Sequence, residues 1–160
     1  MDTIPESQLG FSYEYAVDVR VDNDWQRVRF MSNVNPSSTP KEADGATYED
    51  LGNDHPINVG ETTQLDFFVQ QHRLADGKYF PEVEVLLEAA RTPGASIPVR
   101  WYDKPANGIP NPTDAFDGVA SVGVQRAQIG NAEIGGWNFT LKIQGERGQI
   151  ANPAADTTNP

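Results

Sequence analysis

The sequence contains no cysteine among its 160 residues, so disulfide bonds and thiolate chemistry are excluded. It also lacks a run of about 20 apolar residues, the length that a membrane-spanning helix needs. No apolar segment follows the acidic start MDTIPESQLG, and we therefore expect no signal peptide. These absences favour a protein that folds in a reducing compartment, most simply a cytoplasm, without a membrane partner.

Basic residues are scarce: 12 Lys and Arg stand against 23 Asp and Glu, for a formal net charge of -11 at pH 7. The sequence has no run of Lys or Arg, which a protein needs to follow a phosphate backbone by releasing its counterions. The composition therefore argues against tight or sequence-specific binding of DNA.

Catalytic and metal-binding signatures are also missing. The two histidines, His55 and His72, do not have the spacing that brings two imidazoles to one zinc ion. No serine lies in a G-x-S-x-G motif, and neither of the phosphate-binding glycine signatures occurs. We therefore expect a protein without catalytic residues, cofactors or metals, and not an enzyme.

The sequence does contain alternating apolar and polar residues, which are typical of β-strands with one buried face. In YEYAVDVRV, Val17 and Val19 share one face while Asp18 and Arg20 share the other. The length suits one domain that buries roughly 70% of the surface its unfolded chain exposes. Strands are predicted at residues 13–21, 25–30, 62–73, 97–103, 118–128 and 135–145.

One helix is predicted at residues 81–94. Pro81 suits the first helical position, and a Pro-Gly pair ends the segment. Its apolar residues recur at the helical spacing i, i+3, i+4, i+7, namely at Val83, Leu86, Leu87 and Ala90. This spacing predicts a helix that lies against the sheet.

Residues 32–60 hold several prolines and almost no large apolar side chain, so we predict a long loop there. Its centre, DGATYEDLGNDHP (44–56), is rich in carboxylates, which suit a hard cation such as calcium. The ligand spacing of an EF-hand loop is absent. A solvated acidic loop is the favoured interpretation, with calcium binding as the alternative.

The order of these elements predicts a mainly β (α+β) fold, an antiparallel β-sandwich or barrel of about six strands with one flanking α-helix. We expect a single domain over residues 1–160. It has an N-terminal arm (1–12), a β core (13–147) that includes the long loop 32–60 after the first hairpin, and an extended C-terminal arm (148–160).

The element order and three stretches resemble the major tail tube proteins of long-tailed (siphophage-type) bacteriophages, specifically those of actinobacterial hosts. The stretches are ATYEDLGND after the first hairpin, VRWYDKPANGIPNPTDAFDGVASVGV (99–124) and GGWNFTLKIQGERGQIANP (135–153). Together with the helix they cover most of residues 13–153.

This resemblance implies a structural virion protein whose copies form hexameric rings. The sheets of neighbouring copies join into a β-barrel wall, and stacked rings form a tail tube through which DNA passes without specific binding. Further partners are other tail proteins, namely the tape measure, the tail tip and the terminator. The implied location is the virion tail, assembled in the host cytoplasm.

The resemblance also assigns roles to residues. The long loop reaches a subunit of the adjacent ring, through the contact candidates Tyr48, Glu49, Asp50 and Leu51, of which Tyr48 and Leu51 are the apolar anchors. The alternative for Tyr48 is that it folds back on its own subunit. The candidates for the lumen of the tube are polar-face residues: Asp66, Gln70, Asn138, Thr140, Lys142 and Gln144.

Two other functions remain open. Related folds also build tail terminators and tail-completion proteins, and the element order does not separate these from tube proteins. A non-catalytic carbohydrate-binding β-sandwich would instead stack sugars on exposed tryptophans, for which the candidates are Trp25, Trp101 and Trp137.

Overall fold

Seven antiparallel strands form one sheet in this computed structural model, which describes residues 3–155. Its elements are β1 (Tyr15–Val21), β2 (Asp24–Arg27), β3 (Met31–Asp44), β4 (Pro56–Gln70), α1 (Pro81–Arg91), β5 (Ile97–Asp103), β6 (Ala115–Ala127) and β7 (Gly136–Gln149). The sheet order is β2-β1-β5-β6-β7-β4-β3, with β2 and β3 as its open edges. The predicted mainly β fold with one helix is confirmed, with seven strands in place of about six.

One face of the sheet carries the core. Cross-strand register places Val17 opposite Trp101, and Phe67 opposite Phe139, and all four side chains are buried. Trp137 is buried on the same face, so it and Trp101 are core residues and are not available to stack on a sugar. The alternation of apolar and polar residues along each strand produces this buried face.

Helix α1 lies against β6 and β1. Val83 and Leu86 are fully buried, as their spacing predicted, while Leu87 is only partly buried. The helix ends at Arg91, before the Pro-Gly pair, because a proline restricts the residue that precedes it to extended conformations. The predicted helix is therefore confirmed, and it is three residues shorter than predicted.

Strands β2 and β3 follow each other in the chain and yet form opposite edges of the sheet. The three residues between them cross that gap: Val28 N donates to the carbonyl of Val17 in β1 (2.8 Å), and Gln70 N in β4 donates to the carbonyl of Phe30 (3.0 Å). The sheet must therefore curl until its edges approach each other at this point. Curling encloses the core without closing a barrel.

The predicted loop over residues 32–60 is wrong, because most of that segment forms a hairpin. Strands β3 and β4 pair from Met31 opposite Val69 to Asp44 opposite Pro56. The prolines of β3 are tolerated because this strand is an edge, where alternate N–H positions face away from the ladder and form no bond in it. The apolar alternation that reveals the other strands is absent here because both faces of the hairpin are largely exposed.

The two predicted arms differ in structure. Residues 3–12 contain no helix or strand, while positions 1 and 2 lie outside the described residues. In the predicted C-terminal arm, β7 continues to Gln149, and buried Asn152 donates its amide hydrogens to the carbonyls of Asp103 (2.8 Å) and Asn111 (2.7 Å). Residues 148–155 therefore belong to the folded body, which corrects that boundary, and residues 156–160 lie outside the described part.

A partly buried carboxylate lies just before β6. Burial, and then the charge of Asp103, raises the pKa of Asp114 above its ordinary value of 3.8. Burial also raises the pKa of the neighbouring Tyr15 hydroxyl, with Asp114 and Asp103 adding to the effect. The folded state therefore holds the Asp114 proton more tightly than the unfolded chain does, and stability is lost as the pH rises through the folded-state pKa.

We expect Asp114→Asn to raise the free energy of unfolding at pH 7 by about 0.3 kcal/mol, a small gain because solvent screens this site. Below the ordinary pKa the gain disappears, since the wild-type carboxyl is then protonated in both states. Urea denaturation at pH 7 and pH 3.5 measures the difference. Asp54→Asn, at an exposed position, is the matched control, and an equal gain in both variants would contradict the explanation.

Candidate assembly surfaces

The β3–β4 hairpin extends past its pairing with the rest of the sheet. Strand β4 pairs with β7 only from Gln70 to Gln64, and residues 56–63 have β3 as their ladder partner. At about 3.3 Å per residue, those eight positions extend the hairpin roughly 25 Å past the last pair between β4 and β7, while Arg147 of β7 still contacts Glu61. The hairpin turn, residues 45–55, therefore lies at the outer end of a long two-stranded ribbon.

The turn is organised by its own carboxylates. Thr47 N donates to Asp50 Oδ2 (2.8 Å), and Thr47 Oγ1 donates to Glu49 Oε2 (3.0 Å). Asp50 also lies 3.2 Å from His55 Nδ1, and Ala46 N donates to Asp44 Oδ1 (2.9 Å). The dense acidic residues thus act as hydrogen-bond acceptors that shape the turn, as in a capping box.

Among residues 3–155, no group of three or more His, Cys, Asp or Glu side chains is placed to hold a metal ion. In the same part of the chain, no helix has the length and apolar character of a membrane span.

Tyr48 and Leu51 stand out at the tip of the hairpin. Tyr48 is 96% exposed and Leu51 is 86% exposed, so neither side chain packs on its own subunit. Leu51 has a φ of 54°, a left-handed conformation that ends the short 3-10 turn Tyr48–Asp50. Of the two alternatives for Tyr48, the structure contradicts the one in which it folds back. The tip offers two apolar side chains to another molecule.

The six predicted lumen residues come together on one surface. Register places Asp66 opposite Thr140, and Gln64 opposite Lys142, on the sheet face opposite the core. Asn138, Gln144 and Gln70 share that face because they have the same parity along β7 and β4. The six predicted residues therefore share one sheet face, which the buried Phe68 interrupts between Asp66 and Gln70.

This polar face is nearly balanced in charge where the six residues lie, with Asp66 on one strand and Lys142 on the next. Thr140 Oγ1 donates to Asp66 Oδ1 (2.8 Å), and Gln64 Nε2 donates to Asp66 Oδ2 (3.0 Å). The high net negative charge of the chain is therefore not concentrated here. What the face offers a passing molecule is mostly uncharged amide and hydroxyl groups.

A second exposed apolar group, which the sequence patterns did not indicate, lies at the turn between β6 and β7. Ile129 is 84% exposed and Ile134 is 63% exposed, and Leu74 in the segment after β4 is partly exposed. Two isoleucines in a polar turn are a visible signal, whereas Leu74 comes to the same end of the sheet only through the register of β4 and β7.

Comparison with known proteins gives a likeness in fold. No protein-family model matches the sequence, and no curated protein matches it. Among solved structures, a chain described as the tail of an empty GTA particle, computed with helical refinement and C6 symmetry, is similar with a TM-score of 0.67. The likeness covers 89% of this chain and 100% of that chain, at 9% sequence identity. This chain therefore has the fold of that tail protein.

Proposed function

We propose that this chain is a structural subunit that assembles into stacked hexameric rings and forms the tail tube of a long-tailed bacteriophage or a related particle. The observation that carries the proposal is the projecting hairpin with Tyr48 and Leu51 exposed at its tip. The fold shared with a tail that has C6 symmetry supports the ring. The proposed role needs no catalysis and no cofactor.

The tip is suited to a contact that repeats in every layer of a stack. Burying a leucine-sized side chain is worth about 2 kcal/mol, and a tyrosine adds a hydroxyl that remains hydrogen-bonded at the rim. Each contact alone would be weak. A ring of six subunits makes six such contacts at once, so stacking becomes strong only after the ring has formed.

Open sheet edges support lateral assembly. Strands β2 and β3 leave unpaired backbone groups along both edges of the sheet, and an isolated subunit exposes them to promiscuous pairing. Joining the sheets of neighbouring copies covers such edges. The polar face with Asp66, Asn138 and Thr140 then lines the lumen, where its mostly uncharged groups, with Asp66 balanced by Lys142, allow DNA to pass without specific binding.

In this proposal the protein is part of the virion tail and is assembled in the host cytoplasm. Its partners are further copies of itself and the tape measure, tail tip and terminator proteins. The siphophage type and an actinobacterial host belong to the proposal as well, since they rest on the resemblance of the sequence alone.

Electron microscopy of the purified protein at high concentration tests the function. We expect hollow tubes whose end views have sixfold symmetry. Single rings that never stack would instead support a tail terminator or completion protein, and protein that stays monomeric at every concentration would contradict assembly altogether.

The tip residues can be tested in the same assay. Tyr48→Ser combined with Leu51→Ser is expected to reduce tube formation at least tenfold, because each contact loses its apolar anchors. The melting temperature should stay unchanged, since both side chains are exposed in the subunit. Tyr48→Phe with Leu51→Met keeps the apolar surface and is expected to assemble normally. Equal assembly by the two variants would show that the tip is not a contact.

A further inference from the structure

The end of the sheet opposite the hairpin tip is built from two segments distant in sequence. Strand β4 ends at Gln70 and β6 ends at Ala127, and both residues are opposite Gly136, the first residue of β7. The segments 71–79 and 128–135 therefore meet at this end. The hairpin tip lies at the other end, where β4 begins.

Gln71 ties the two segments together. Its backbone N–H donates to the carbonyl of Gly135 (2.9 Å), its side-chain oxygen accepts from Arg126 Nη2 (3.0 Å), and its Nε2 donates to the hydroxyl of Tyr79 (3.2 Å). The Arg73 guanidinium lies over the ring of Tyr79, 5.7 Å from its centre. We name the surface held by these contacts the far face, and it consists of Arg73, Leu74, Lys78, Arg126, Ile129 and Ile134.

The charges of the far face and of the tip are opposite. Segments 71–79 and 128–135, together with Arg126 at the end of β6, hold three cations against Asp76 and Glu133, in a chain whose net charge is -11. The tip, residues 44–56, holds four carboxylates and no Lys or Arg. These segments carry one net positive charge on a strongly acidic protein, which favours contact with an acidic loop over contact elsewhere on the surface.

The apolar residues of the two ends are complementary as well. Ile129 and Ile134 are exposed on the far face, and Tyr48 and Leu51 are exposed at the tip. Each end thus has an apolar centre surrounded by charge, the arrangement of a protein interface core and its rim. A contact between two different surfaces of one chain, placed at opposite ends, is heterologous and generates an open stack.

We propose that the far face is the receiving site for the hairpin tip of a second copy in the adjacent ring. This inference rests on the proposed function and specifies its stacking contact. Tyr48 and Leu51 lie against Ile129 and Ile134, while Glu49 and Asp54 face the cations that surround them.

Because the chain has no cysteine, a pair of introduced cysteines gives a clean test. Leu51→Cys with Ile129→Cys, assembled and treated with a short bismaleimide, is expected to give a ladder of covalent oligomers on a denaturing gel. Leu51→Cys with Arg91→Cys, which moves the second thiol to the exposed end of α1, is expected to lose the ladder. Leu51→Cys alone should give dimers at most.

The outcomes separate this inference from the proposed function. Tubes without a ladder, or an equal ladder for the Arg91→Cys pair, would overturn the receiving site and leave the tube role intact. Wild-type protein that never assembles would overturn both.

A charge exchange tests the same contact without cross-linking. Glu49→Lys with Asp54→Lys, or Arg73→Glu with Lys78→Glu, should each slow tube growth about tenfold, and the combination of all four should restore most of the rate. Failure of the combined variant to recover, when each pair alone remains folded, would also contradict the receiving site.

Discussion

A subunit in which an Asn-Gly turn replaces residues 41–60 is expected to remain a folded monomer and to form no tubes. The design follows the register, since Thr39 lies opposite Thr62 and Pro40-Asn-Gly-Glu61 then forms a four-residue connection, a common hairpin length that is built around a type I turn. The variant loses the tip and most of the projecting ribbon. It keeps every residue of the core, because the first buried residue of β4 is Thr63, which lies after the replaced segment.

Stability should change little in this variant. The removed residues are exposed except for half-buried positions in the turn, and the side-chain contacts at the new end of the hairpin remain. Those contacts are Ser38 Oγ donating to Glu61 Oε2 (2.8 Å) and Arg147 Nε donating to Glu61 Oε1 (2.8 Å). Shortening the connection also lowers the entropy cost of closing it, which is a small gain.

Circular dichroism, thermal melting and electron microscopy of the same preparation check this prediction. We expect a melting temperature within about 5 °C of the wild type, which for a domain of this size is a change near 2 kcal/mol or less, together with complete loss of tubes. The matched control keeps the full ribbon and carries Tyr48→Phe, and it should assemble. An unfolded trimmed variant would show that the hairpin belongs to the core.

Local patterns in the sequence predicted most of the fold. Apolar and polar residues alternate along β1, β4, β5, β6 and β7, since each of these strands has one face on the core. In α1 the apolar residues recur at helical spacing. Strand β3 was not predicted, because an edge strand with both faces exposed needs no apolar residues. Pro36 and Pro40, which normally argue against a strand, are compatible with its free edge.

Long-range contacts account for the rest of what sequence did not reveal. Asn152 fixes the C-terminal segment by donating to the carbonyls of Asn111 and Asp103, which are 41 and 49 residues earlier in the chain. No sequence pattern near Asn152 indicates these partners. The far face joins Gln71 to Arg126 across 55 residues. Tyr48 and Leu51, in contrast, were identifiable because they are apolar residues within a polar segment, and their exposure needed only the hairpin geometry.

The point where the sheet curls depends on a buried ion pair. Glu82, the second residue of α1, is 0% exposed. Its carboxylate accepts three hydrogen bonds from Arg29, donated by the arginine backbone N (3.1 Å), Nε (3.0 Å) and Nη2 (3.0 Å). The same guanidinium lies 4.4 Å from the ring centre of Phe80. The pair thus fixes the short crossing between the two sheet edges to the start of the helix.

Arg29→Ala is expected to lower the free energy of unfolding by about 3 kcal/mol, because it leaves a carboxylate without its counterion inside the protein. In thermal melting this is a loss of roughly 10 °C. Adding Glu82→Gln to Arg29→Ala removes the unpaired negative charge of residue 82 and keeps a side-chain oxygen that accepts from the backbone N–H of residue 29. The double variant should therefore regain a large part of the lost stability.

The comparison between single and double variants identifies the cause. A truncated arginine also loses its packing on Phe80, and that loss is the same in both variants. Recovery in the double variant measures the cost of the unpaired charge alone, whereas equal stability of the two would assign the whole effect to packing. Because the crossing holds the curled sheet together, the Arg29→Ala subunit should also lose assembly at temperatures where its unfolding is measurable, and the double variant should regain assembly together with stability.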